Sequence, residues 1–216
     1  MFWGMRMIYV YPDDSQPIRQ GDIFLNLPRI DISLDCMITV EDDSSTFVPW
    51  EEIATPGMTT EIIAGVKSVA AIVITQDCDN LRNDDISLCE ICKFEDVHTA
   101  IKEMTDRPAK WVNVLTEHAR KNLNWFYLPP DKQVGFSEKK AVDFQVTMRL
   151  KRLEMERLIS FRVGRLNNVA DEHFRERLSE YFRRYPYDEW YPFDKDELEA
   201  YETKRNLKVK KFPWQS

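Results

Sequence analysis

The chain has 216 residues, of which 43% are apolar and 31% are charged, and its net charge at pH 7 is -7. This composition is typical of a globular protein that can bury a sizeable core. No apolar stretch approaches the ~20 residues of a membrane span, and the first residues lack the features of a signal peptide, so we expect a cytoplasmic protein.

The first part of the chain is rich in strand-forming residues. MRMIYVY predicts a strand, PDDSQP a turn, and GDIFLNLPRIDISL one or two strands, with Pro28 at a break or a sheet edge. TVEDDSSTFVPWEEIATPGMTTE is typical of a loop. The continuous apolar run at residues 69–75 predicts a central strand buried on both faces, and ISLCEICKF predicts its neighbour.

The second part predicts helices and further strands. DVHTAIKEM and PAKWVNVLTEHARKN are typical of helices, NWFYLPP and AVDFQVTMRL of strands, and ERLISFRVGRL fits either. VADEHFRERLSEYFRRY predicts a closing helix that Pro186 ends. Its apolar residues fall at helical spacing: Val169, Phe174, Leu178, Tyr181, Phe182 and Tyr185.

These elements predict an α+β fold, a small SH3-like curved β-sheet or barrel elaborated by helices. We expect one domain over residues 1–186 and an aromatic, charged C-terminal tail over residues 187–216.

Charge is distributed unevenly along the chain. Residues 1–106 carry 20 acidic and 7 basic side chains, whereas residues 107–216 carry 17 acidic and 23 basic ones. The acidic part should repel a phosphate backbone, and the basic part could attract nucleic acid or an oppositely charged protein.

A polar turn follows the predicted central strand, in VAAIVITQDCDNLRNDD. The candidate functional residues are Gln76, Asp77, Cys78 and Asp79. A nucleophilic Cys78 would need a base or a positive field, and the flanking aspartates oppose thiolate formation. Three interpretations stay open: a structural turn, a catalytic tip and a metal site.

The cysteines offer one candidate metal set. Cys89-x-x-Cys92 has the ligand spacing of a zinc knuckle, and Cys78 and His98 could complete it. However, on a strand Cys89 and Cys92 point to opposite faces, and no glycine turns the chain between them. We therefore predict no metal and no cofactor, and no catalytic residue is assigned.

Aromatic residues concentrate in the predicted tail. Mixed with acidic residues, they are typical of interface anchors. We expect the partner-binding residues to be Trp190, Tyr191, Phe193 and Trp214.

RQGDIFLNLP, followed by the apolar strand that ends at Thr75, resembles the opening of the bacterial MazF/PemK toxins. That resemblance implies an SH3-like barrel. The Arg-Pro pair that precedes the apolar strand in that family is replaced here by Lys67, Ser68 and Val69, so the resemblance carries over the barrel and not the ribonuclease residues.

VITQDCDN is similar to the SQ-x-CD motif of an uncharacterised bacterial family associated with defence and mobile-element loci. NWFYLPP, VDF and the late YFRRYP segment fit the same family. We therefore expect a non-enzymatic interaction or regulatory protein of a bacterial system, with anti-phage defence as one candidate. The alternative is a ribonuclease or other hydrolase of a MazF/PemK-like barrel that uses the groove near Gln76, so the sequence leaves enzymatic activity open.

Overall fold

The computed structural model describes residues 8–35, 37–41, 44–80, 82–97, 110, 115, 124–183, 195–206 and 208. The chain divides into two compact units, Met1–Tyr181 and Phe182–Ser216. Within the described part, no helix is long and apolar enough to cross a membrane.

Ten strands are described. They are β1 (Tyr9–Val10), β2 (Asp22–Asp31), β3 (Met37–Glu41), β4 (Ser44–Val48), β5 (Ile62–Ile63), β6 (Gly65–Val73), β7 (Asp85–Lys93), β8 (Trp125–Leu128), β9 (Lys140–Lys151) and β10 (Arg162–Leu166).

The described helices are mostly short. They are α1 (Trp50–Ile53), α2 (Asp77–Asn80), α3 (Phe94–Val97), α4 (Arg152–Arg157), a 3₁₀ turn at Ile159–Phe161, α5 (Asn168–Phe182) and, in the second unit, α6 (Lys195–Arg205).

Seven strands form an antiparallel sheet in the order β1-β10-β2-β6-β7-β9-β8, which curls into a half-barrel. A smaller sheet has the order β4-β3-β5. The protein is thus a mixed α/β protein with a curled antiparallel sheet and few helices, as the sequence predicts at that level.

The predicted central strand is confirmed. β6 is the middle strand of the seven, and the predicted neighbour β7 pairs with it. Ile72 belongs to one apolar cluster of the core, whereas Ala71 and Val73 belong to a second one, and all three are fully buried. Both faces of β6 are therefore covered, which explains why its apolar run is continuous instead of alternating.

Pro28 lies within β2 and does not break it. β10 pairs only with Asp22, Ile23 and Phe24, so the far half of β2 has no described partner on that side. A proline is tolerated there because an edge strand does not use every N–H group. The register shift between Phe24 and Leu27, with Asn26 at φ 57°, bends the strand.

The stretch expected to be a loop forms most of the small sheet. β3 and β4 pair antiparallel from Met37 to Val48, and α1 follows. The expectation of a loop was wrong for residues 39–41 and 44–48. Pro49, Pro56 and Gly57, which suggested the loop, all follow β4, whereas β4 itself contains strand-forming residues such as Phe47 and Val48.

The closing helix α5 is confirmed, but its buried face is narrower than predicted. Ala170, Phe174 and Leu178 are buried, whereas Val169 and Phe182 are 60% and 63% exposed. The three buried residues are spaced four apart and form one stripe along the helix, so the apolar residues beside this stripe remain exposed to solvent. Most of the two helices predicted between residues 96 and 122, together with Tyr185, lies outside the described residues.

Candidate functional site

The Gln76–Asp79 segment forms a hydrogen-bonded turn between β6 and β7. The carbonyl oxygen of Gln76 accepts bonds from the N–H groups of Asp79 and Asn80, each at 2.9 Å. Oγ1 of Thr75 accepts a bond from the N–H group of Ser87 at 2.7 Å. The turn is therefore fixed to the strands on both sides of it.

Asp77 fastens this turn to the start of β2. Its Oδ2 accepts bonds from Nε and Nη2 of Arg19 at 2.8 and 2.6 Å, and its Oδ1 accepts one from the backbone N–H of Gln20 at 2.8 Å. Burial alone would raise the pKa of Asp77, but these bonds outweigh it and lower the pKa. Both carboxylate oxygens of Asp77 already accept hydrogen bonds, so its main role is to hold the turn against the start of β2.

Cys78 is exposed at the tip of the turn. Its Sγ lies 3.9 Å from Oε1 of Gln76, and no hydrogen bond joins this thiol to a histidine, lysine or arginine among the described residues. A cysteine nucleophile needs such a partner to form thiolate. The geometry therefore gives no support to a catalytic Cys78.

The other described cysteines are poor ligands and nucleophiles. Burial raises the pKa of Cys89 and that of Cys92 to about 12 each. Within the described part of the chain, no group of three His, Cys, Asp or Glu side chains could hold a metal ion. Cys36 and His98 lie outside the described residues.

Behind the turn lies an arginine–carboxylate cluster centred on Asp22. The side chains of Asp22 and Arg162 are fully buried, with Nη1 of Arg162 3.1 Å from Oδ2 of Asp22. Nη2 of Arg165 donates to the same oxygen at 3.0 Å. Arg162 also donates to the carbonyl oxygens of Asp13 and Gln16. The cluster thus joins β2, β10 and the turn before β2.

Asp171 approaches the same strand start from helix α5. Gly21 has φ +82°, and a Cβ there would lie 3.0 Å from Oδ1 of Asp171, so the close approach needs glycine. That oxygen is buried and has no hydrogen-bond partner. Burial raises the pKa of Asp171, and the charge of Asp77 raises it further, against the opposing effect of Arg175.

Sequence reasoning missed this cluster. The one local signal is the glycine–aspartate pair in RQGDI at the start of β2. The arginines that pair with Asp22 follow it by 140 and 143 residues. No spacing rule connects positions so far apart.

A second surface feature is an exposed row of apolar side chains on the small sheet. Ile38 pairs with Phe47 on one side and with Ile63 on the other, so the three side chains share one face. Phe47 is 68% exposed and Ile63 is 55% exposed. Met37 and Thr39, on the opposite face, are buried.

A separate exposed apolar pair lies at the end of the main sheet. Val66 follows Ile63 by three residues and pairs with Ile30, and both members of that pair are more than half exposed. We call the row on the small sheet the apolar patch; it comprises Phe47, Ile38 and Ile63. Exposed apolar side chains scattered singly are ordinary, but a row across three strands is typical of an interface.

The segment that carries the apolar patch is acidic, whereas Arg29 and Lys67 lie just beyond its two ends and Arg29 pairs with Asp31. Residues 30–66 include eight acidic side chains and no lysine, arginine or histidine. Asp31, Asp35, Glu51 and Glu61 are exposed members of this set.

The predicted partner-binding residues Trp190, Tyr191, Phe193 and Trp214 lie outside the described residues. Their role stays a prediction. No protein-family model matches the chain, and no curated protein matches it either.

Proposed function

We propose that this chain is a non-enzymatic interaction or regulatory protein that binds a protein partner through the apolar patch. The observation that carries the proposal is the row Phe47–Ile38–Ile63, in which two large side chains remain more than half exposed on a paired sheet. Covering such side chains contributes ~25 cal/mol per Å² of apolar area removed from water.

The charge around the patch specifies the chemistry of the partner. A surface with such an excess of acidic side chains repels nucleic acid. It favours a protein surface with apolar anchors and a lysine- or arginine-rich rim, because complementary charges speed association and exclude wrong partners. A partner strand pairing with the free edge of β2 is less suitable. The bulge at Asn26 and the missing N–H group of Pro28 both interrupt that edge.

We also propose an SH3-like arrangement of the curled sheet and partner binding by the tail aromatics Trp190, Tyr191, Phe193 and Trp214. The remaining proposals are nucleic-acid binding by the basic C-terminal half, a cytoplasmic location and a role in a bacterial defence system.

The test is affinity capture of the tagged full chain from its own cells, compared with a variant carrying Phe47→Ser and Ile63→Ser. We expect one protein to be enriched on the wild type, to be released by rising salt, and to be reduced at least tenfold on the variant. The matched control is Leu153→Ser on α4, where the leucine is 64% exposed and lies outside the patch. Equal recovery on the double variant and on the wild type would reject the patch as the interface.

A hydrolase is the second candidate. The observation in its favour is that Oδ1 of Asp171 is buried beside Gly21 without a hydrogen-bond partner, and burial raises the pKa of this carboxyl group whereas that of the neighbouring Asp77 is lowered. The test is hydrolysis of RNA by the full chain, with Asp171→Asn as the variant. Turnover that the variant loses would support this candidate, and wild-type turnover no higher than the blank would reject it.

A further inference from the structure

A cavity of about 210 Å³ lies between the turn that precedes β2 and helix α4. Pockets for drug-sized ligands are larger, at ~300–1,000 Å³, so the occupant would be a small metabolite. Ile18, Ile86 and Ile159 form an apolar part of its wall.

Two polar side chains that line the cavity have unpaired buried atoms. Asn80 is 3% exposed; its Nδ2 donates to the carbonyl oxygen of Thr75 at 3.1 Å, and its Oδ1 has no partner. Nε of Arg152 is likewise buried without a partner. Buried polar atoms are rarely left unpaired, because losing their bonds to water without replacement is unfavourable.

The cavity also has charges of both signs. One basic residue, Arg152, and two acidic residues, Asp14 and Glu156, line it, and none of the three side chains forms an ion pair with another described residue. An anionic group can therefore bind at Arg152, while a cationic N–H donor can bind at Glu156 and at Oδ1 of Asn80.

The opposite wall is held in place before any ligand arrives. Nη2 of Arg162 donates to the carbonyl oxygens of Asp13 and Gln16, and Nη2 of Arg165 donates to that of Pro17. A site fixed in this way loses little entropy on binding.

We propose that this cavity binds a small zwitterion, an α-amino acid with an apolar side chain. Its carboxylate would pair with Arg152, its ammonium group would donate to Asn80 and Glu156, and its side chain would pack on the three isoleucines.

The test uses the full chain and individual L-amino acids at millimolar concentration. We expect at least one of leucine, isoleucine, valine, methionine and phenylalanine to raise the melting temperature by about 3 °C or more, because a ligand that binds only the folded state stabilises it. Aspartate and lysine should leave the melting temperature unchanged, since their charged side chains cannot pack on isoleucine.

Arg152→Gln should abolish this shift. The control is Arg157→Gln on the same helix, where the arginine pairs with Glu154 outside the cavity, and this variant should keep the shift. As a second measurement on the wild type, the side-chain amide NMR signals of Asn80 should move on addition of the same amino acid. No shift with any apolar amino acid, equal shifts with aspartate and lysine, or an unchanged response of Arg152→Gln would overturn the proposal and leave a cavity filled by water.

Discussion

Asp77 holds the turn at residues 76–79 on the start of β2, and replacing it should cause a pH-dependent loss of stability. Asp77→Asn should lower the free energy of unfolding at neutral pH by about 1 kcal/mol, because the ion pair with Arg19 is largely exposed. The folded-state pKa of Asp77 lies below its ordinary value. Its contribution is therefore present above the ordinary pKa of about 3.9 and is lost as the pH falls through the lower folded value.

The measurement is urea unfolding of both proteins at neutral pH and near pH 3. The difference between wild type and Asp77→Asn should narrow at the lower pH. The control is Asp79→Asn on the same turn, because no hydrogen bond of the Asp79 carboxylate is found among the described residues. Equal losses in the two variants would show that the Arg19 and Gln20 contacts do not hold the turn.

The cysteines should differ sharply in reactivity. N-ethylmaleimide should label Cys78 in the folded protein within minutes and leave Cys89 unlabelled, since Cys78 is exposed whereas Cys89 is fully buried with a pKa of about 12. Peptide mass spectrometry before and after denaturation measures both sites in one sample. Labelling of Cys89 at the rate of Cys78 without denaturation would contradict the burial of β7.

At the scale of elements, β6 combines a buried end and an exposed end, which gives a matched comparison within one strand. Ile72→Ala should destabilise the protein by about 2–5 kcal/mol, because it leaves a cavity in a fully covered core. Val66→Ala, at a position that is 62% exposed, should cost less than about 1 kcal/mol. Chemical denaturation of both variants measures this, and similar losses would mean that β6 is not the centre of the core.

The strands that were predicted best from the sequence are those whose burial can be inferred from their own residues. The apolar run of β6 needs only its own residues to indicate burial on both faces. The hairpin β3–β4 was missed because Pro49, Pro56 and Gly57 in the same stretch indicated a loop, although all three follow β4. The buried group around Asp22 was missed for a different reason: Arg162 and Arg165 meet it only after the chain has closed the sheet.

The candidate site, too, was predicted only where its features depend on local sequence. The turn Gln76–Asp79 was predicted as the end of a buried strand, and the structure places it there. Its partners Arg19 and Gln20 belong to another strand start, so their contact with Asp77 follows from topology and not from local pattern.

At the scale of the whole molecule, the chain divides into two compact units, so we expect most of the fold to form without the C-terminal tail. A chain truncated after Tyr185 should stay folded, with a melting temperature close to that of the full chain, because the units Met1–Tyr181 and Phe182–Ser216 are separately compact. It should bind its partner more weakly if the tail aromatics contact the partner as expected. Circular dichroism and the capture assay measure these outcomes, and an insoluble product would place the tail in the core.

The claim that the apolar patch is a protein-binding surface is tested most directly by photo-crosslinking in cells. Benzoylphenylalanine in place of Phe47, and separately in place of Ile63, should each yield one adduct with the same basic partner protein. The same probe in place of Leu153, which is similarly exposed on helix α4, should yield none. Absence of adducts at Phe47 and Ile63, an adduct of equal yield at Leu153, or an adduct made only of two copies of this chain would contradict the account.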